Sequence, residues 1–190
     1  EFVKIRMKKK AIIISIKSYT LSSKERFLLS KEKPWGLILF KRNIRSFDQV
    51  KKLISNIKKL TKDKKFPIMI DEEGLSVSRL SDIINHRIDA NYFGCLYKID
   101  RNIAINLYKN YLDSLCRNLN MIGININTIP VLDVLRKNTN KIIGKRSFSQ
   151  NEKIVKKLGE ITNELNELKI NYLVTDGTIL GLYRDQKLIK

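Results

Sequence analysis

Residues 66–74 limit the folds open to this chain more than any other stretch. A largely apolar run ends at Ile70 and is followed at once by three carboxylates and a glycine. This pattern is typical of a buried parallel strand whose carboxyl end delivers polar side chains into a loop, where α/β folds place their functional groups. Because Arg79 follows shortly afterwards, we expect Asp71 and Arg79 to line one pocket suited to a polyhydroxylated ligand. A solvated acidic turn is the alternative.

Apolar runs of strand length alternate with helical patterns along the rest of the chain. Strands alternating with helices predict a parallel sheet joined by right-handed crossovers. No periodicity is evident from 75 to 100, which we interpret as a long loop. The predicted strands are 11–16, 37–40, 66–70, 122–126 and 170–174, and the predicted helices begin at about 22, 46, 100 and 151 and end at about 29, 60, 115 and 168.

Charged groups follow three of the predicted strands on what would be one side of the sheet. They are Lys41 with Arg42, then Asp71 to Glu73, and then Asp133. This arrangement suits the catalytic face of a barrel, so the predicted fold class is α/β: a partial (β/α)8 TIM barrel of about five βα units, forming a single domain over residues 1–190. A doubly wound sheet is the alternative, although no glycine-rich phosphate loop follows any strand.

The charge balance raises the question of nucleic acid. Lys and Arg number 38 against 19 Asp and Glu, which gives a formal charge of +19. The lysines are scattered through nearly every segment without interleaved aromatic residues, so we predict no specific nucleic-acid partner, although weak, salt-dependent binding of polyanions is expected.

Cysteine, histidine and hydropathy patterns point to an intracellular protein without a metal. Cys95 and Cys116 lie in apolar segments at no metal-binding spacing and are predicted to be buried free thiols. His86 is the only histidine and is expected on the surface or in a loop. No apolar run has the length of a membrane span, so we expect a cytoplasmic protein with no membrane partner.

Four short motifs occur in a fixed order: PWGLILFKRN at 34–43, IDEEG at 70–74 with Arg79 and Leu80, PVLDV at 130–134, and IGKRSF at 143–148. Together they resemble the N-terminal half of bacterial β-N-acetylhexosaminidases of glycoside hydrolase family 3, over roughly residues 7–169. The resemblance implies a cytoplasmic single-domain barrel that removes N-acetylglucosamine from muropeptide fragments during peptidoglycan recycling. It implies no metal and no other cofactor.

The same resemblance implies a set of substrate-binding residues. Asp71, Arg79 and Arg146 match family residues that bind the terminal sugar, and Asp133 matches an aspartate that we assign to holding its loop in place. The residue types fit this role, because a carboxylate accepts from two hydroxyls at once and a guanidinium donates in fixed directions.

The chain departs from the family pattern at two places. Where the family has a second glycine and an arginine after Gly74, this chain has Leu75 and Ser76. The family's catalytic histidine loop follows its fifth strand, whereas residues 173–181 contain neither lysine nor histidine, and the family's nucleophilic aspartate comes later still. Glu72 and Glu73 cannot supply the missing pair, since neighbours on a strand point to opposite faces. No catalytic residue is therefore assigned in this chain.

Three hypotheses follow from these observations. The first is a truncated β-N-acetylhexosaminidase, inactive as an isolated chain and prone to aggregate through unpaired sheet edges. The second is a non-catalytic N-acetylglucosamine-binding remnant, or half of a split enzyme completed by a C-terminal half on a second chain. The third is a basic nucleic-acid-associated protein.

Overall fold

The computed structural model describes residues 9–85 and 87–164, and the backbone of residues 171–172. His86, residues 165–170 of the predicted last helix and connection, and residues 173–174 of the predicted fifth strand lie outside the described residues. The strands are β1 (Lys10–Ser15), β2 (Pro34–Leu39), β3 (Ile68–Ile70), β4 (Ile126–Asn127) and β5 (Asn171–Tyr172), and the helices are α1 (Ser23–Lys31), α2 (Phe47–Thr61), α3 (Ala90–Ile99), α4 (Arg101–Ile122) and α5 (Glu152–Glu164).

The described strands form one parallel sheet in the order β1-β2-β3-β4-β5, so every strand lies beside its neighbour in sequence. Such an arrangement, with at least one helix between each pair of successive strands, is an arc of a (β/α)8 barrel. A doubly wound sheet instead reverses its strand order. The predicted partial barrel is confirmed.

The core lies between the sheet and the helices. Leu37, Leu39, Ile68 and Ile70 are fully buried on the helix-facing side of β2 and β3. Helix α2 presents its three-four spaced apolar residues to this layer and begins at Ser46, whose Oγ accepts from the Gln49 backbone N–H. The buried residues of α2 are Val50, Leu53, Ile54 and Ile57.

Helix α3 falls where we predicted a continuous loop, so that interpretation was wrong for Ala90–Ile99. Its sequence contains Gly94 and several aromatic residues, which obscured the helical periodicity of its apolar residues. Tertiary packing stabilises the helix: the Phe93 ring lies 4.8 Å from that of Tyr108 and 5.2 Å from that of Tyr111, and Gly94 lies directly against the Phe148 backbone.

Two further expectations need correction. Helix α4 runs on to Ile122 and ends at Gly123, which adopts the left-handed conformation with φ 101°, so β4 covers only Ile126–Asn127. Cys116 is buried as predicted, but Cys95 is exposed, because it lies on the face of α3 away from Phe93 and Gly94.

No helix in the described part of the chain combines the length and the apolar character needed to cross a membrane.

Candidate carbohydrate-binding site

The site is built on three residues that each follow the end of a strand. Leu39 pairs with Ile70, and Ile70 pairs with Asn127, so the next residues, Phe40, Asp71 and Thr128, are neighbours along the carboxyl edge of the sheet. The Oγ1 of Thr128 donates to Asp71 Oδ1 at 2.9 Å, which fixes the carboxylate. The register of the sheet alone therefore brings an aromatic ring, a carboxylate and a hydroxyl together.

Arg79 joins this row as predicted. One terminal nitrogen donates to Asp71 Oδ2 at 3.2 Å, and the guanidinium carbon lies 5.8 Å from the centroid of the Phe40 ring. Both side chains of the Asp71–Arg79 pair are partly accessible, at 22% and 30%. The buried Nε of Arg79 donates to no acceptor within the described residues, so hydrogen-bonding capacity of this guanidinium is unused beside the carboxylate.

Glu72 holds the loop that carries Arg79. Its side chain is fully buried and accepts from Ser78 Oγ at 2.5 Å and from the backbone N–H groups of Arg79 and Leu80 at 2.7 and 2.9 Å. The Asn127 side chain in turn bonds the main chain of Glu72 at both its N–H and its carbonyl. Glu72 therefore positions Arg79 through its backbone.

Arg146 approaches the same edge from a distant part of the sequence. It donates from two nitrogens to the Glu73 carboxylate, at 2.7 and 2.9 Å, and the two side chains are 19% and 9% exposed. This bidentate, mostly desolvated ion pair holds the Arg146 guanidinium against Glu73, which lies two residues after Asp71 in the sequence. A cavity of about 20 Å³, lined in part by Glu73, Arg146 and Tyr111, lies beside the pair and has room for about one water molecule.

Asp133 lies in the loop between β4 and the segment carrying Arg146. Its main-chain carbonyl accepts from Ser147 Oγ at 2.5 Å, and Ser147 is fully buried. The contact ties the Asp133 loop to the residue directly after Arg146. This bond is made by the backbone of Asp133, and the supporting role predicted for Asp133 stays a prediction.

The loop after β3 contains the departure from the family pattern. Gly74 has φ 146°, and a Cβ there would lie 2.4 Å from the Ile88 carbonyl oxygen, so glycine is required. Ser76 donates from its backbone N–H and its hydroxyl to the two Asp89 carboxylate oxygens, at 2.8 and 3.0 Å. Ser76, which lies in the segment that departs from the family pattern, is thus held by Asp89, the residue that precedes α3.

A buried tyrosine, Tyr108, and a partly buried one, Tyr111, lie behind the site. Burial raises the pKa of Tyr108, whose hydroxyl lies 3.2 Å from Thr162 Oγ1. Burial likewise raises the pKa of Tyr111, and the negative charges of Glu72 and Asp89 add to this effect. Both phenols therefore remain protonated at neutral pH.

Three of the four predicted site residues fall in two hydrogen-bonded pairs at this edge of the sheet, and the fourth, Asp133, lies in the loop after β4. Asp71 bonds Arg79, whereas Arg146 bonds Glu73. The sequence analysis missed Glu73, Thr128 and the buried role of Glu72. The acidic triplet itself was the available signal for the two glutamates, since a run of carboxylates in a buried loop needs partners.

The described residues contain no group of three or more histidine, cysteine, aspartate or glutamate side chains arranged to hold a metal ion. The chemistry that this edge offers is hydrogen bonding by carboxylates, guanidinium groups and a hydroxyl. Such a set recognises neutral polar ligands with several hydroxyl or amide groups.

Comparison with known proteins finds relatives among beta-hexosaminidases. A beta-hexosaminidase of Xanthomonas campestris pv. campestris (strain B100) is 28% identical over 144 residues, which cover 76% of this chain and 43% of that protein. A beta-hexosaminidase of Chromobacterium violaceum is 29% identical over 149 residues, covering 78% of this chain and 41% of that protein. The chain thus spans less than half the length of these relatives.

Among solved structures, NagZ from Neisseria gonorrhoeae in complex with N-trifluoroacetyl-D-glucosamine superimposes with a TM-score of 0.78 at 26% identity, over 88% of this chain and 50% of that one. The family model for the glycosyl hydrolase family 3 N terminal domain matches residues 5–164. With four ordered motifs, a five-stranded parallel arc and this match, the chain belongs to the glycosyl hydrolase family 3 N-terminal domain family.

Proposed function

We propose that this chain is the sugar-recognising part of a β-N-acetylhexosaminidase that acts on terminal β-linked N-acetylglucosamine. The observation that carries the proposal is the group of Asp71, Thr128 and Arg79, in which a positioned carboxylate lies beside a guanidinium with unused donor capacity. Asp71 accepts sugar hydroxyls in this proposal, while Arg79 and Arg146 donate to hydroxyl or carbonyl oxygens.

The proposed reaction is retaining hydrolysis, which needs a nucleophile on one face of the anomeric carbon and a proton donor at the leaving oxygen. The relatives are about twice as long as the matched part of this chain. We propose that both groups come from the barrel segment that this chain does not match, carried either by further polypeptide or by a second chain. Within this chain, Asp71, Arg79 and Arg146 bind and orient the sugar.

The proposed biological substrate is a muropeptide fragment of peptidoglycan, handled in the cytoplasm during cell-wall recycling. The similarity to beta-hexosaminidases and to a NagZ structure containing an N-acyl glucosamine supports this assignment. A non-hydrolysing N-acetylglucosamine-binding protein is the second candidate. It is favoured by the two ion pairs, which hold the binding residues in place without any catalytic group assigned beside them.

The test measures binding and turnover separately. We expect N-acetylglucosamine to bind the purified chain, as detected by saturation-transfer NMR, and an Asp71→Ala variant to lose at least tenfold in affinity, since a charged hydrogen-bonding partner is removed. Asp113→Ala, which removes a carboxylate on the exposed face of α4, is the matched control and should bind normally. Equal binding by all three proteins would refute the proposed site.

Hydrolysis of an aryl N-acetyl-β-glucosaminide then tests whether the catalytic groups lie outside this chain. The chain alone should release no chromophore. Chromophore should be released only when the remaining barrel segment is supplied. Turnover by the chain alone that disappears in Asp71→Ala would show that nucleophile and donor both lie within these residues, contrary to the proposal.

A further inference from the structure

A lysine-rich depression lies on the side of the sheet opposite the sugar site. Two adjoining pockets open at the amino ends of the strands, one of about 580 Å³ between the ends of α2 and α4 and one of about 450 Å³ between α1, β2 and the end of α2. Both are lined by Lys62, and we call the pair the lysine trough. Its lysines are Lys9, Lys31, Lys33, Lys51, Lys58, Lys59, Lys62 and Lys64.

The charge of the trough is almost wholly positive. Among the described residues that line it, Asp63 is the only acidic one, and it is already paired with Lys9 at 2.6 Å. The larger pocket has five lysines and no carboxylate in its lining. Crowding several ammonium groups around one concavity costs electrostatic energy, which a bound anion relieves.

Lys9 and Lys58 each have a structural partner within the protein, Lys9 in its ion pair with Asp63 and Lys58 at the end of α4. Lys58 donates to the Gly123 carbonyl oxygen at 2.7 Å and so supplies a cation at the end of α4, a helix with no basic residue in its own last turn. Burial lowers the pKa of Lys58. A helix end carries only about half an elementary negative charge, so one or two lysines suffice for the ends of α2 and α4.

The backbone provides an independent observation. Within the described residues, two non-glycine residues have positive φ: Lys33 at 49° and Lys62 at 54°. Both line the trough. Lys62 occupies the left-handed position that follows α2. Glycine or asparagine normally occupies such a position, because a β-carbon there costs about 1–2 kcal/mol. Conformational cost retained at two positions in one depression indicates a role for the side chains.

The trough is not uniformly polar. Its larger pocket also contains Ile54, Met121 and Ile122, and the smaller contains Leu29 and Phe66. Apolar surface inside a concave basic site suits a compact ligand with a ring or hydrocarbon part attached to an anionic group. An extended nucleic-acid backbone would instead call for a long open basic stripe with exposed stacking aromatics.

We propose that the lysine trough binds a small molecule carrying a di- or triphosphate group, with its organic part against the apolar floor. Lys59, Lys62 and Lys64 hold the phosphate oxygens. A nucleotide supplies both the phosphate oxygens and the organic part, whereas inorganic tripolyphosphate supplies the phosphate oxygens alone, so a comparison of the two tests both halves of the assignment. The site is separate from the sugar site in position and in charge, and it does not rest on the proposed hydrolase function.

The first experiment is calorimetric titration of the chain with ADP, ATP and inorganic tripolyphosphate at physiological ionic strength. We expect saturable binding, with the nucleotides tighter than tripolyphosphate because their organic part contacts the apolar floor. Equal or tighter binding of tripolyphosphate would overturn the assignment of an organic ligand. Lys59→Gln combined with Lys64→Gln should weaken binding by at least tenfold, since charge-assisted hydrogen bonds are lost. The control, Lys24→Gln with Lys98→Gln, removes the same net charge from exposed positions on α1 and α3 and should bind as the native chain does. Equal weakening in both variants would overturn the proposal in favour of diffuse attraction.

The variant Lys62→Gly tests whether the Lys62 side chain binds the ligand. Glycine relieves the positive φ, so Tm should rise by about 2–4 °C while affinity for the triphosphate falls about tenfold. A rise in Tm with unchanged affinity would mean that Lys62 has no binding role and would overturn the proposal. A short RNA oligonucleotide that binds the trough more tightly than ATP would also overturn it, because the ligand would then be a polymer.

Discussion

Glu72 shows how a single buried carboxylate can organise a site without touching a ligand. Its two oxygens accept from Ser78 and from two backbone N–H groups, and its side chain has no exposed surface. Removing it leaves two buried N–H donors without an acceptor, and buried donors of this kind are costly.

We therefore expect Glu72→Ala to lower the free energy of unfolding by about 3 kcal/mol or more, and Glu72→Gln by about 1–2 kcal/mol, because glutamine retains one acceptor oxygen for the two N–H groups. Urea denaturation measures both. Glu152→Ala, at an exposed position in the first turn of α5, should change stability by less than about 0.5 kcal/mol. Similar losses in Glu72→Ala and Glu152→Ala would contradict the assigned role.

The ion pair of Asp63 with Lys9 gives a prediction for acid conditions. The hydrogen bond from Lys9 lowers the pKa of Asp63 below its ordinary value of 3.8. The stabilisation is therefore complete above pH 3.8 and is lost as the pH falls towards the lower folded-state pKa, because the unfolded chain binds the proton first.

Asp63→Asn should accordingly be less stable than the native chain by about 0.5–1 kcal/mol at neutral pH, and the two proteins should converge as the pH falls below about 4. Chemical denaturation at a series of pH values from about 7 to about 3 measures the difference. A difference that stays constant over this range would rule out titration of Asp63 as its source.

At the scale of the elements, helix α3 depends on a close approach that only glycine permits. A Cβ at Gly94 would lie 1.7 Å from the Phe148 carbonyl oxygen, and this oxygen cannot move without shifting the backbone next to Arg146 and Ser147. We expect Gly94→Ala to lower the free energy of unfolding by more than about 3 kcal/mol.

Gly144→Ala is the matched comparison for this prediction. Gly144 also requires positive φ, at 40°, but nothing lies within 4 Å of an added Cβ. Its substitution should cost only about 1–2 kcal/mol, the conformational term alone. If the two variants lose the same stability by thermal or urea unfolding, close packing of α3 is not what Gly94 provides.

The elements also show where local pattern was sufficient. A capping box stabilises the start of α1, with Ser22 and Glu25 bonded reciprocally, and the three-four spacing of the apolar residues of α2 faces the core. Both features depend on residues within four positions of one another. Helix α3 and the true start of β4 were missed because their definition comes from contacts with residues far away in sequence.

For the molecule as a whole, the open arc leaves strand β1 unusually exposed. Ile12 and Ile13 lie on opposite faces of the strand and are 52% and 36% exposed. In the described sheet, β1 pairs with β2 alone and occupies one end of the strand order. An exposed apolar edge strand is a site for association with other chains.

Ile12→Lys combined with Ile13→Lys should therefore reduce concentration-dependent association, measured by size-exclusion chromatography with light scattering. Charged residues on an edge strand oppose pairing. Ile99→Lys with Ile103→Lys introduces the same charge at exposed apolar positions near the junction of α3 and α4 and should leave association unchanged. Equal improvement in both variants would attribute the effect to net charge.

The sequence by itself determined the parallel α/β arc and the family, and it indicated the strand end at which the candidate site lies. These depend on the alternation of apolar and polar residues and on short motifs, which are local properties. Tertiary structure alone decided the pairing of Arg146 with Glu73, the burial of Glu72, the exposure of Cys95, and the gathering of scattered lysines into one trough. Each of these depends on which distant segments meet when the sheet forms. Glu73 and Arg146 are 73 residues apart, so no local sequence pattern predicts their contact in space.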